Sequence, residues 1–207
     1  MANYVQEAHE RDGLGGSIET QADKFGNQYV VKGLPDFTYL VNANKVWRAK
    51  SAATACVIAV PTTASIFTLQ NSAGDGGLSM IIIDLFAIMA VADAAVLQQA
   101  GLIYVVNDAR VANKTASVTP VSARARGGSY TGSGILPAPG ANVVDTGWFP
   151  VGPGNNTVVA NLPGHQLYAR MDGLIVLPPG GLLGVSVMGA DVTNTYHVGA
   201  TWAEVQL

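Results

Sequence analysis

From Lys45 onward, short β-branched or alternating runs recur along the chain: KVWRAKSA, TACVIAV, SIFTLQ, LSMIIIDLFAIMA, LIYVVND, NVVDTGWF, NTVVANL, QLYARMDGLIVL, LLGVSVMG and TYHVGATWAEV. Between them stand NSAGDGG, RGGSYTGSG, PAPGAN, PVGPGNN, LPGH, PPGG and MGADVTN, all rich in residues that accept turn dihedrals. Strands at this spacing predict an all-β sandwich or barrel. One segment, ADAAVLQQAG, has a helical pattern of about two turns, with Asp93 as N-cap and Gly101 as stop.

Several runs are apolar on both faces. In TACVIAV, Cys56, Ile58 and Val60 alternate with Ala55, Val57 and Ala59, and Ile81, Ile82 and Ile83 break alternation in the same way. A sandwich normally leaves one polar face per sheet. A doubly apolar strand therefore implies a covering segment or a subunit interface, and an interface explains several such strands at once. Leu183, Val185 and Val187 alternate with Gly184 and Ser186, and the small face admits another backbone or subunit. Pro179-Gly180 has the residues of a type II turn between this run and DGLIVL, an ordinary hairpin in a monomer core being the alternative to an oligomer contact.

Composition narrows the surface. Hydrophobic residues make up 49% of the 207 and charged residues 12%, about half the usual share of roughly 25%, so much of the outside is neutral. Twelve of the 25 charged residues lie in the first 50 positions. The expected organisation is a polar N-terminal arm over residues 1–45 and a β-sandwich over 46–207. The arm contains one β-like run, Tyr29, Val30 and Val31, expected to order on a neighbour. The net charge of −3 carries no basic footprint for nucleic acid. The opening MANYVQEAHERDGLGG has no apolar signal region, and Asp84 and Asp93 interrupt the longest apolar stretch. The expectation is a soluble protein that binds neither nucleic acid nor membrane. Cys56, the single cysteine, is expected as a buried thiol.

Catalytic templates find little to match. His9, His165 and His197 are far apart and form neither His-x-His nor His-Glu-x-x-His, so no metal or cofactor is expected. GGSYTGSG lacks the Lys-Ser/Thr of a phosphate loop and reads as a flexible loop. No Gly-x-Ser-x-Gly occurs. Asp84 and Asp172 are the best carboxylate pair, but such aspartates at strand ends usually cap or solvate. Arg124 and Arg126 form a small basic spot, read as a solvated loop. The expectation is not an enzyme.

The order DGLIVLPPGGLLGVSV, then TYHVGATWAEVQL with its Trp202-Ala203-Glu204, resembles the closing strands of phage virion jelly-roll proteins of the capsid decoration, or cement, type. GGLSMIIIDLFAIMAVADAAVLQQAGLIYVVND resembles their paired strands, and together these segments span roughly 80 of the 207 residues. The resemblance implies a jelly-roll-like antiparallel β-sandwich with an extended arm, on the outer capsid surface. Its implied partners are itself, as a homotrimer, and the major capsid protein. Tyr29, Val30 and Val31 are then the capsid-docking residues. Trp148, Leu183, Val185, Val187, Tyr196 and Trp202 are subunit contacts, with ordinary core packing as the alternative. A different reading is a tail or fibre head module that binds a host-surface glycan or receptor through RGGSYTGSG and PVGPGNN.

Overall fold

The most regular alternating run, QLYARMDGLIVL, becomes a single strand in which Leu167, Ala169, Met171, Ile175 and Leu177 are buried and the intervening side chains face outward. The computed structural model describes residues 37–62, 64–91, 98–108, 119–125, 128–136, 141–142, 147–157 and 166–207. The chain divides into two units, Met1–Asp36 and Phe37–Leu207, and the described residues belong to the second. Tyr29, Val30, Val31, His9, His165 and Arg126 lie outside the described residues.

In chain order the elements are α1 (Thr38–Asn42), β1 (Val46–Lys50), β2 (Thr54–Ala55), β3 (Ala64–Ser65), β4 (Phe67–Asn71), β5 (Ser79–Val91), β6 (Gln98–Asp108), β7 (Val121–Ser122), β8 (Gly134–Ile135), β9 (Ala141–Asn142), β10 (Phe149–Thr157), β11 (Gln166–Leu177), β12 (Gly181–Gly189) and β13 (Thr195–Val205). The first sheet runs β11-β5-β13-β1-β7, with β2 on β13; the second runs β10-β6-β12-β4-β8. Every ladder among the described strands is antiparallel, and the pairings nest: β1 with β13, β4 with β12, β5 with β11, β6 with β10. This is the strand order of a jelly roll, a long hairpin folded over so that its two halves close two facing sheets. The two sheets pack face to face as an all-β sandwich.

The core lies between the sheets. Met80, Ile82, Leu85, Ala87 and Met89 of β5 meet Tyr196, Val198, Ala200 and Trp202 of β13, Trp47 of β1, and Leu183, Val185 and Val187 of β12 in one buried cluster. Burying a Leu, Ile or Val side chain contributes roughly 1.5–3 kcal/mol, so this cluster is the main source of stability. The inward positions on β5 jump from Ile82 to Leu85 because its register with β13 shifts between Thr201 and Trp202. The bulge turns Ile83 and Asp84 together away from the core.

Pro178-Pro179-Gly180-Gly181 closes as the expected type II turn: Gly180 has φ 84° and Gly181 N–H donates to Pro178 O at 2.8 Å. It is not a hairpin, however, because β11 belongs to the first sheet and β12 to the second. The turn is a corner between layers. Asn71 ties it down: its Nδ2 donates to Leu177 O and Leu78 O, and its Oδ1 accepts from Ala73 N–H and Ser133 Oγ. Gly180 N–H adds a bond to Asn71 O.

Four local expectations change. Gln98–Gly101 of the helical ADAAVLQQAG are strand, since β6 gains ladders with both β10 and β12 there; pairing overrides a weak local preference. PVGPGNN is strand as well, in β10 at the edge of the second sheet, and the register breaks between Val151 and Asn155 around Pro153. Proline is tolerated at such an edge bulge because no ladder donor is lost. TACVIAV contributes only β2 and a bridge from Val57 to Met188, leaving Ile58 and Val60 exposed. Residues 37–45, placed by charge density in the arm, pack on the sandwich: Leu40 is buried with Val46 and Ala203, and Glu204 N–H donates to Lys45 O.

Candidate interaction surface

The two sheets finish their outer faces differently. On the second sheet, the small side of β12 is filled by the chain's own backbone: Ser186 Oγ accepts Ile66 N–H, just beyond β3, at 3.1 Å. Trp148 packs over Val105 and Leu182 nearby. The close approach foreseen for Gly184 and Ser186 is therefore intramolecular. Leu182 through Val187 are buried on both sides of their strand.

Among the described residues, a segment covers one end of the first sheet. Phe37, Leu40 and Val41, in and beside α1, pack against Val46, Ile83, Ala203 and Val205, so a covering segment accounts for Ile83. Arg124 Nη1 donates to Asn42 O at the end of this helix, which gives the basic spot a structural task. Across the rest of the face the register sets out rows on β11, β5, β13 and β1: Tyr168, Phe86, Gly199, Lys50; then Arg170, Asp84, Thr201, Arg48; then Val176, Ile81, Ala203, Val46. Tyr168 is 56% exposed, Leu174 87%, and Val176 and Ile88 are exposed as well. Gly199 makes room for Phe86: a Cβ there would lie within 2.5 Å of the ring.

Asp84 occupies the middle of this face. The Thr201 and Tyr168 hydroxyls stand near its carboxylate, while Oδ1 is buried without a hydrogen-bond partner. Burial pushes its pKa above the usual carboxylate value, outweighing the nearby hydroxyls and the Arg48 charge, which pull it down. Arg170, opposite Asp84 in register, bonds Asp172 at 2.6 Å. The carboxylates singled out by sequence, Asp84 and Asp172, thus share one open face with an arginine between them. β11 bulges here, with Asp172 at φ 47° and Gly173 at φ 84°.

The residues expected at a subunit interface lie elsewhere. Leu183, Val185, Val187, Tyr196 and Trp202 are at most 1% exposed and belong to the core between the sheets. Their burial is complete within one chain, so core packing, the alternative weighed for them, is the role the structure gives them. Trp148 is half-buried on the second sheet, and its Nε1 is buried without a partner. Cys56 is buried as expected, its Sγ donating to Asp191 O; burial, then the Asp191 charge, raises the thiol pKa.

A polar cluster that sequence reasoning missed sits at one end of the core. Glu204, 2% exposed, accepts from Tyr130 OH at 2.5 Å and Trp202 Nε1 at 3.0 Å through Oε1, and from Ser133 N–H at 3.3 Å through Oε2. Tyr130 lies edge-on to Trp47, centroids 4.9 Å apart, and accepts Gly134 N–H. GGSYTGSG, read as flexible, is held against the sandwich from Tyr130 to Gly134. The available signal was the Trp202-x-Glu204 spacing, which places both side chains on one side of a strand.

Among the described residues no group of three His, Cys, Asp or Glu side chains stands together as a metal site, and no helix is long and apolar enough to cross a membrane. Comparison with family models, with curated proteins and with solved structures gives no match.

Proposed function

We propose that this chain is a structural virion protein, a decoration protein that self-associates and binds the major capsid protein on the outer surface of a phage head. The observation that carries this reading is the asymmetry of the jelly roll. The chain's own segments pack over Leu182, Val105 and Ser186 on one outer face, whereas the other leaves Tyr168, Ile88, Leu174 and Val176 open to solvent. Exposed large apolar side chains on one sheet face cost solubility unless a partner covers them. A decoration protein present in many copies can use such weak contacts, because simultaneous attachment multiplies them. The reading assigns no catalytic step and no cofactor.

Its test is localisation. Antibodies raised against the purified chain are applied to density-banded particles from a culture that expresses the gene, with immunogold labelling in the electron microscope. Label distributed over the heads supports the reading. Label confined to the tail tip replaces it with the receptor-binding one, and a chain absent from the particles removes it.

A further inference from the structure

Along its solvent side β11 presents Tyr168, Arg170, Asp172 and Leu174, all exposed. The order is apolar, cation, anion, apolar, so the strand read backwards complements itself. A two-fold axis near Met171 brings Arg170 of one protomer toward Asp172 of the other and Tyr168 toward Leu174, with the β11 bulge between Arg170 and Ile175 at the axis.

We propose that the open part of the first sheet's outer face, centred on β11 and β5, is an isologous interface between two copies of this chain. The charge order selects this occupant. A partner surface of one sign sets like against like at one member of the Arg170–Asp172 pair, whereas a second copy presents opposite charges to both. The area available is bounded, because α1 already covers Val46, Ile83 and Ala203 on the same sheet. What remains is the side carrying Tyr168, Phe86, Ile88, Leu174 and Val176. Two sheets facing each other there repeat the layer packing of the sandwich itself. The apolar side chains supply affinity. The charges set register, since an exposed ion pair contributes little by itself. Because an isologous contact closes on two copies, the face specifies a dimer rather than a trimer.

The inference rests on the self-association in the proposed function, but its test needs no virion. Light scattering on the purified full-length chain gives its mass across a concentration series, for wild type, Leu174→Arg, Arg170→Asp and the exchange R170D/D172R. Wild type at twice the chain mass is expected, with Leu174→Arg reduced to one chain mass. Arg170→Asp faces two aspartates across the axis and weakens association about tenfold. The exchange keeps the charge pair within each chain and across the axis, and restores the wild-type mass. A wild-type mass of one chain or of three overturns the interface. So does a dimer unaffected by Leu174→Arg, or an exchange variant no better than Arg170→Asp. Any of these leaves the head-labelling result standing, so the two readings fail separately.

Discussion

The phenol of Tyr130 donates to Glu204 Oε1 across 74 residues of chain, at 2.5 Å. It closes the Gly-rich loop onto β13 between two tryptophan rings. Burial first, and then Glu204, raises the Tyr130 pKa far above its ordinary value, so the phenol remains a donor at every pH at which the protein is handled. Tyr130→Phe leaves the buried Glu204 one donor short. A loss of roughly 1.5–3 kcal/mol is expected, as for hydrogen bonds to a charged group, measured by urea unfolding. Proteolysis within residues 128–134 should accelerate in parallel. An unchanged urea midpoint would show that the loop is held by ring packing alone.

Asn71 uses all four hydrogen-bonding positions of its side chain at the corner between layers. Asn71→Ala orphans two carbonyls, an amide N–H and a hydroxyl. The expected cost is roughly 2–4 kcal/mol. Asn71→Asp should not rescue it, because a carboxylate offers no donor to Leu78 O and Leu177 O. Denaturation midpoints of the two variants decide the point, and a wild-type midpoint for Asn71→Asp would sink it.

Asp84 makes stability depend on pH in a defined direction. Its pKa is raised in the folded state, chiefly by desolvation, so the native state holds the proton more tightly than the unfolded chain. Its contribution is most favourable below the ordinary carboxylate pKa, and it is lost as pH rises through the raised folded value. Asp84→Asn removes the charge while keeping the shape. The variant should melt a few degrees above wild type at pH 7.5, and the gap should close below the ordinary carboxylate pKa. A variant that melts lower at pH 7.5 would mean that Arg48 and the two hydroxyls outweigh burial.

Gly180 holds φ 84° at the third position of its turn. Gly180→Ala should cost about 1–2 kcal/mol, the penalty of a left-handed conformation for a residue with a Cβ. Calorimetry of this variant beside Pro179→Ala separates the two halves of the turn. The proline contributes by restricting the unfolded chain, so its loss should be the smaller, about 0.4–1 kcal/mol.

Local pattern was sufficient for several of the long strands. QLYARMDGLIVL and TYHVGATWAEV form β11 and β13 over the full length of each run, and LLGVSVMG, SIFTLQ and LSMIIIDLFAIMA lie almost wholly within strands. Alternation reports which side chains can share a face, and turn residues report where the chain must stop, so both act within a few residues. The same information placed Leu183, Val185 and Val187 on one side of a strand without saying what that side would meet. Trp202 and Tyr196 were assigned to a subunit interface with core packing as the alternative, and only the facing sheet reveals that they are interior.

What the sequence by itself determined is therefore an all-β chain, the positions of several of its long strands, the type II turn at Pro179-Gly180 and the buried state of Cys56. The tertiary structure decided which strands belong to which layer, and hence that this turn is a corner. It decided that β12's small face receives Ile66 of the same chain, that Glu204 receives Tyr130, and that Arg170 stands beside Asp84. Each of these is a meeting of residues far apart in the chain. Such meetings are selected by the packing of whole sheets against one another, and no window of neighbouring residues contains that information.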